Sequence, residues 1–403
     1  DRRQRQMCIR DSMRNVRKTM LRGEKPAPCL KCYKEEEAGH LSKRNWETNY
    51  WGNRYNLHEL VSETDVTGKI PPKIRYIDLR MGSKCQLACV MCSPHDSTGW
   101  IKEWNKIYPQ ITNEKLKNTS AWDNKGRNDG ASYNWHKNNP KFWSELFEQI
   151  PHMYQLYFAG GESLIIDEHY DLLEECIKLG YAKNIELRYN SNAVEWRDDL
   201  FDLWSHFKRV RFHYSIDAHG EHNDYIRYPT NWKHQEEVFW KLDNTSDNVE
   251  VTTATTIMAL NVGYIPEFVQ WKVAQNFRKI NKWPLGAGGI NMHFAYWPPQ
   301  LNVKVLPADV KQTITDKYEQ EFFPWMIDNW QSFTGVKEAG LTQEQWLSAP
   351  YGLKRFKGII KFMNAEDWTQ RLPETRQYLN LVNKQRGWET KFLEVFPLFK
   401  DVL

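Results

Sequence analysis

The chain has 403 residues, 40% of them hydrophobic, and its 55 basic and 51 acidic residues leave a formal net charge of +4. This length can bury one large core with smaller appendages. Because basic and acidic residues are nearly equal in number, the net charge gives no strong signal for binding to nucleic acid or to a membrane surface. No apolar run approaches the ~20 residues that span a bilayer, the basic N-terminus is unlike a signal peptide, and seven cysteines clustered at ligand spacings indicate reduced thiols in a cytoplasmic compartment.

The beginning of the chain is polar and weakly patterned. Residues 1–12 lack a hydrophobic period and resemble a non-native leader, so Cys8 is expected to be incidental. The next residues, 14–22, predict a short helix that stops at Gly23. A polar connector with packing aromatic residues is expected over residues 45–72.

A pair of cysteines lies within this N-terminal part. Cys29 and Cys32 follow a proline-rich turn at C-x2-C spacing, which is typical of a knuckle that binds a metal ion or a cluster. Two free thiols in a surface turn would give the same pattern. Residues 13–72 are therefore predicted to form a small cysteine-bearing module with its linker.

A second cysteine group follows the first predicted strand, residues 74–79. Cys85, Cys89 and Cys92 have C-x3-C-x2-C spacing, and three thiolates on one loop suit three of the four irons of a [4Fe–4S] cube. The fourth iron would stay open to bind another molecule. Zinc is the alternative, since cysteines at x2 spacing also bind zinc, and His95 is the nearest fourth ligand.

A long insertion, residues 93–147, comes directly after the triplet. It is rich in Asn, Lys, Gly and Trp and has no clear period. Long loops of this kind are usually functional or mobile, so it is either a lid or substrate contact, or a decoration of the surface.

Further strands then alternate with helical segments, as a parallel barrel requires. Helix 166–179 places Cys176 four residues after Leu172 on its apolar face, so Cys176 is expected in the core. Residues 311–403 predict a helical extension that braces the barrel. The predicted strands two to six cover residues 154–159, 185–189, 210–217, 249–257 and 290–297.

Glycine or small polar residues follow several of these strands. Glycines at a strand end let a ligand approach the backbone, and a carboxylate there can accept from an ammonium group. Ordinary turn residues, helix caps and ion pairs are the alternatives. His293, on the sixth strand, is expected to be a core histidine rather than a substrate contact. The strand-end residues are Gly160, Gly161 and Glu162, Ser191 and Asn192, Ser215 and Asp217, and the later Arg227.

Taken together, the cysteine triplet, the Gly160-Gly161-Glu162 turn and the Tyr-Ile-Arg227-Tyr segment resemble the radical S-adenosylmethionine (SAM) enzymes. The resemblance spans roughly residues 13–310 and implies a partial (β/α)6 barrel of the TIM type over residues 73–310. The module before the barrel resembles the twitch or SPASM-like modules of that superfamily. The resemblance further implies that SAM binds the open iron and is cleaved to a 5′-deoxyadenosyl radical, which abstracts hydrogen from a substrate.

The same resemblance implies roles for individual residues. Cys85, Cys89 and Cys92 would hold the main cluster, while Cys29 and Cys32 would hold part of an incomplete auxiliary iron–sulfur cluster. The turn at Ser191 and Asn192 departs from the family's Thr-Asn-Gly pattern, which puts its contacts in doubt. The expected SAM contacts are Met91, Gly160, Gly161, Glu162, Ser191, Asn192, Ser215, Asp217 and Arg227.

The substrate is the least determined part of this interpretation. Peptide maturation is the leading expectation, and a small metabolite such as a sugar or nucleotide is the alternative. Flavodoxin or ferredoxin would supply the electron. A different class, a non-catalytic metal protein that binds a partner through its tryptophan-rich insertion, does not need the strand-end residues.

Overall fold

The computed structural model describes residues 2–37, 42–120, 135–137, 139–275, 277–280, 290–333, 340–348, 352–400 and 402, with residues 2–10 described by their backbone alone. The contacts divide the chain into two compact units, Asp1–Ile74 and Arg75–Leu403. Within the described part, none of the helices combines the length and apolar character needed to cross a membrane.

The first unit is helical. The first helix begins at Arg2, within the predicted leader, and ends before Gly23, whose φ of 75° suits glycine. The segment predicted to be a polar connector overlaps two helices, which begin after the capping residues Ser42 and Asn56. The helices are α1 (Arg2–Leu21), α2 (Leu30–Glu37), α3 (Lys43–Gly52) and α4 (Leu57–Ser62).

The second unit is built on a six-stranded sheet. All neighbouring strands are parallel and follow one another in chain order, which confirms the predicted partial (β/α)6 barrel. The carboxyl ends of the strands therefore share one edge, where barrel enzymes place their chemistry. The strands are β1 (Tyr76–Leu79), β2 (Gln155–Phe158), β3 (Glu186–Ser191), β4 (Arg209–Ser215), β5 (Val249–Ile257) and β6 (Ile290–Phe294).

Helices connect the strands and continue to the C-terminus. Before β2 lie α5 (Ile101–Ile107), α6 (Glu114–Thr119) and α7 (Pro140–Gln149), and between β2 and β6 lie α8 (Asp167–Lys178), α9 (Leu200–Ser205), α10 (Glu221–Ile226), α11 (Trp232–Asp243) and α12 (Ile265–Ala274). The extension holds α13 (Ala308–Lys317), α14 (Phe323–Asp328), α15 (Gln343–Ser348), α16 (Leu353–Met363), α17 (Leu372–Arg386) and α18 (Lys391–Val395).

The two faces of the sheet differ in polarity. One face packs on the helices through apolar side chains such as Leu156, Tyr189 and Phe212, all at most 1% exposed. Residues that alternate with them, such as Arg188 and His213, point to the other side, called the inner face below. Cys176 of α8 is fully buried against the apolar side, which confirms its predicted place in the core.

Part of the predicted insertion belongs to this core. Trp100, Trp104 and Leu116 are at most 3% exposed, so residues 98–119 contribute side chains to the core. Trp100, Trp104, Ile107 and Ile111 follow helical i, i+4, i+7, i+11 spacing, a period that the sequence prediction overlooked. Residues 121–134 and 138 of the insertion lie outside the described residues.

Candidate functional site

The cysteine triplet lines a cavity of about 790 Å³ at the carboxyl edge of the sheet. This volume is typical of sites for small molecules and cofactors. The ends of β2, β3 and β4 and the loop after β1 together form its wall. Of the predicted site residues, the cavity is lined by Cys85, Cys89, Cys92, Met91, Gly160, Gly161, Ser191, Asn192, Ser215 and Arg227.

The glycine turn after β2 holds the backbone of the cysteine loop. Gly161 has a φ of 43°, and a Cβ there would stand 2.6 Å from the carbonyl oxygen of Lys84. The next backbone N–H, of Glu162, donates to that same oxygen at 2.7 Å. Gly161 is therefore required because the backbone of the cysteine loop approaches it closely. From the sequence, only a ligand was expected to make this close approach.

Glu162 does not reach the cavity, which corrects its predicted role as a direct SAM contact. Its side chain is fully buried and accepts from Ser191 Oγ at 2.8 Å and from the backbone N–H of Asn192 at 2.7 Å. Burial raises the pKa of this carboxyl group, against the effect of its hydrogen bonds. Glu162 thus positions the turn after β3.

The three thiols have different surroundings. Cys85 is half-buried, and its burial, followed by the nearby Cys89, raises its pKa to about 12. Cys92 hydrogen-bonds to Cys89, which lowers the pKa of Cys89 and raises that of Cys92. Among the described residues no three His, Cys, Asp or Glu side chains surround a single metal position. All three cysteines line the wall of the cavity.

Two N–H donors point at these sulfur atoms. Asn192 Nδ2 lies 3.5 Å from Cys85 Sγ, and Arg227 Nη1 lies 3.9 Å from Cys89 Sγ. Hydrogen bonds to the sulfur ligands are one means by which proteins tune iron–sulfur clusters. The donor set therefore fits an iron–sulfur cluster.

The cation of Arg227 is held by a buried partner. Its Nε lies 2.8 Å from the carboxylate of Asp217, which is fully buried. Burial opposes the charge of Arg227, but Asp217 and the two nearest cysteines outweigh it and raise the arginine pKa. Asp217 also accepts from the backbone N–H of Thr256 at 2.7 Å. It is therefore a positioning group behind the cavity wall, and its predicted direct SAM contact is corrected in the same way as that of Glu162.

The outer side of the cysteine loop is held by α17 of the C-terminal extension. Arg386 Nη2 donates to the carbonyl oxygen of Ala88 at 2.6 Å, and its Nε lies 2.9 Å from a carboxylate oxygen of Glu103. Tyr378 donates its hydroxyl proton to the carbonyl oxygen of Val90 at 2.7 Å. No sequence pattern pointed to these residues, since they lie almost 300 positions from the loop.

Two aromatic residues of the cavity wall were also missed from the sequence. Trp135, within the predicted insertion, lines the cavity and donates Nε1–H to the carbonyl oxygen of Arg80 at 3.0 Å. Trp297 lies on the same wall. The described part of the insertion therefore reaches the cavity through Trp135, and its role as a substrate contact stays a prediction.

Other predicted residues lie apart from this wall. His293 is exposed on β6, so the prediction of a core histidine is wrong, because its register places it on the inner face. His95 does line the cavity. Cys29 and Cys32 belong to the first unit, where both are half-buried. Cys32 lies within α2, a helix that buries none of its own residues, and Cys29 comes just before that helix.

The site thus combines three thiols of one loop with a cavity of cofactor size, at the carboxyl edge of a parallel barrel sheet. No known protein family and no curated protein matches the sequence. Among solved structures, the chain is similar to Streptococcus suis SuiB bound to precursor peptide SuiA, at 12% identity and a TM-score of 0.37 over 73% of this chain and 58% of that chain.

A second similar structure is native anSMEcpe with bound AdoMet, at 14% identity and a TM-score of 0.37 over 64% of this chain and 62% of that chain. TYW1 with a lysine-pyruvate adduct is similar at 17% identity and a TM-score of 0.23, over 46% and 56% of the two chains. The chain thus spans about three fifths of the length of the first two structures. Similarity at this level does not establish a shared activity.

Proposed function

We propose that this chain is a radical SAM enzyme, in which Cys85, Cys89 and Cys92 hold a [4Fe–4S] cluster. The observation that carries this proposal is that all three sulfur-bearing side chains line the cavity together with the glycine turn after β2. A purely structural metal site has no need of a neighbouring cavity of about 790 Å³ lined by strand-end polar groups.

The remaining wall residues would bind SAM. Met91 would pack on the adenine ring, and Gly160 and Gly161 would offer backbone groups to the methionine part. Ser191, Asn192 and Ser215 provide hydroxyl and amide groups on the same wall. Glu162 and Asp217 would act indirectly, because each holds a wall residue in place through buried contacts.

When bound and reduced by one electron, such a cluster cleaves the sulfonium carbon–sulfur bond of SAM, giving methionine and a 5′-deoxyadenosyl radical that takes a hydrogen atom from the substrate. The chain's own residues would orient SAM and the substrate and would exclude water from the cavity. Trp135 and Trp297 suit the second task, since they place large apolar rings on the cavity wall.

The finer assignments rest on the same proposal. A peptide substrate, with a small metabolite as the alternative, would enter beside these tryptophans. A flavodoxin or ferredoxin would deliver the electron. Cys29 and Cys32 would contribute two ligands to an auxiliary cluster of a twitch-like module.

One observation favours a second candidate, a zinc site. His95 lines the same cavity as the three cysteines, and three thiolates with one imidazole form a common structural zinc site. The glycine turn and the strand-end polar groups that line the same cavity suit a cluster that binds a cofactor better than a single structural ion. Metal analysis separates the two candidates directly.

The test is anaerobic reconstitution with iron and sulfide, reduction, addition of SAM, and chromatography for 5′-deoxyadenosine. The nucleoside should form with the unaltered chain and with the control variant Cys176→Ala, whose thiol lies in the core away from the cavity. It should be absent with the triple variant Cys85→Ala, Cys89→Ala, Cys92→Ala. Tight zinc in place of iron, with no SAM cleavage, would overturn the assignment.

A further inference from the structure

The inner face of the sheet carries a row of charged side chains below the cavity. The strand register aligns Tyr157, Arg188, Arg211 and Glu250 across β2 to β5. The next row toward the cavity aligns Asn190 with His213. At the β1 end of the charged row, Asp78 aligns with Tyr157 and forms an ion pair with Arg80, so its charge is already neutralised.

The carboxylates near this row already have partners. Glu250 accepts from Arg209 Nε at 2.6 Å, and Glu186 accepts from the hydroxyl of Tyr154 at 2.7 Å. Arg211 is 4.0 Å from each of these two carboxylates. The negative charge is thus shared with two arginines before Arg188 is considered.

Arg188 has no such partner. Within the described ranges, no carboxylate lies within 4.0 Å of its guanidinium group, which stacks over the ring of Tyr157 at 4.8 Å. Its Nε is shielded from solvent and makes no hydrogen bond in that part of the chain. A half-buried cation with an unused donor is a feature that an anion would complete.

The C-terminal extension adds a second cation. Arg355 of α16 reaches β6, where it donates to Asn291 Oδ1 at 3.4 Å and to the carbonyl oxygen of Met292 at 3.3 Å. No carboxylate pairs with it in the described residues. The register aligns Asn291 with Ala254 and, through it, with Ser215 of the cavity wall, so Arg355 reaches the inner face on the side of the cavity.

We propose that Arg188 and Arg355 bind an oxyanion of the substrate, a carboxylate or a phosphate, on the inner face beside the cysteine cavity. That the ligand is the substrate rests on the proposed function. The planar guanidinium forks suit either oxyanion. Asn190 lines the cavity and donates to the hydroxyl of Tyr157 at 2.9 Å, and Arg188 stacks on that same ring.

The position explains how the site would select its substrate. An anionic group held at Arg188 would leave the rest of the molecule beside Asn190 and Ser215 on the cavity wall. An acidic side chain of a peptide and the phosphate of a sugar share this chemistry. Apolar substrates without an oxyanion would leave the cations unpaired and would bind poorly.

The test is calorimetric titration at low ionic strength of the reconstituted chain, without SAM, with N-acetyl-glutamate α-amide and with ribose 5-phosphate. Arg188→Gln and Arg355→Gln should each weaken binding about tenfold or more, since each removes charged hydrogen bonds. Arg197→Gln is the matched control, because Arg197 pairs with Glu174 and Asp199 on the surface and its loss removes the same charge.

Each outcome decides a point. If N-acetyl-glutamate α-amide binds more tightly than ribose 5-phosphate, and the two arginine variants weaken its binding, the substrate is an acidic peptide. If ribose 5-phosphate binds more tightly, the substrate is a phosphorylated metabolite. No binding of either probe, or equal affinities in all variants, overturns the site. If Arg188→Gln does not fold, Arg188→Lys keeps the charge, loses the fork, and should bind more weakly. A positive titration in a chain that never cleaves SAM would retain the anion site and reject the radical function.

Discussion

The two cysteine groups of this chain share a C-x2-C spacing but differ in the structure around them. The triplet of the second unit is enclosed on both sides, by the glycine turn after β2 and by α17. Cys32 lies within α2, which buries no residue, and Cys29 comes just before that helix. Spacing alone therefore does not make a ligand site: the protein must also hold the thiols in place, and only the triplet has that support among the described residues.

The first way to test this comparison is to remove one cysteine from each group. Cys92→Ser should abolish most of the cluster absorbance and iron after reconstitution, because one of three ligands at the main site is lost. Cys32→Ser should retain the main cluster, as its thiol lies in the other unit. Iron and sulfide analysis with electron paramagnetic resonance measures both. Equal losses in the two variants would contradict the comparison.

The second prediction concerns an arginine near each group. Arg386→Ala should lower the opening free energy of the cysteine loop by about 3–5 kcal/mol, because it leaves Glu103 and the carbonyl of Ala88 unpaired in a buried place. Arg44, which pairs with Glu36 in the first unit and is 33% exposed, is the matched control. Arg44→Ala should cost less than about 1 kcal/mol.

Hydrogen exchange with mass spectrometry measures these effects, because it reports the opening of each unit separately. Peptides that contain Ala88 should exchange faster in Arg386→Ala, and peptides of α2 should be unaffected. A change below about 1 kcal/mol for Arg386→Ala would mean that α17 does not hold the loop.

The third prediction uses one glycine from each unit. Gly161→Ala should destabilise by about 2–5 kcal/mol, the sum of a left-handed backbone and an overlap with the carbonyl of Lys84. Gly23 also has a positive φ, but nothing lies within 4 Å of its Cβ position. Gly23→Ala should therefore cost only the backbone part, about 1–2 kcal/mol. Hydrogen exchange measures both costs. If Gly161→Ala and Gly23→Ala cost the same free energy, the close approach of the Lys84 carbonyl does not explain the glycine at position 161.

These pairs also show what the sequence could predict. The period-two pattern of residues 249–257 predicted β5 with the bounds it has in the structure, and spacing predicted that Cys85, Cys89 and Cys92 act together. The alternation of predicted strands with predicted helices also indicated a parallel sheet, and all six strands lie in one parallel sheet. Local patterns suffice where the information is local.

The supports of the site could not be predicted in this way. Arg386 is 298 positions from Ala88, and a contact at such a separation leaves no periodic mark in the sequence. Glu162 and Asp217 were identified as important residues, but their carboxylates point into the protein rather than into the cavity. A motif fixes the place of such a side chain in the fold, whereas packing decides its direction.

The smallest predicted effect compares two tyrosine hydroxyl groups. Tyr378→Phe keeps the buried ring but leaves the carbonyl of Val90 without its 2.7 Å donor, which should cost about 1 kcal/mol or somewhat more. Tyr33, in the first unit, makes no hydroxyl hydrogen bond within the described residues and contacts Arg44 only through its ring. Tyr33→Phe should therefore be neutral. Tyr378 and Arg386 hold carbonyls of one loop that belong to Val90 and Ala88. Their double variant should therefore show a cost that differs from the sum of the two, whereas additive costs would mean that they act on separate structures.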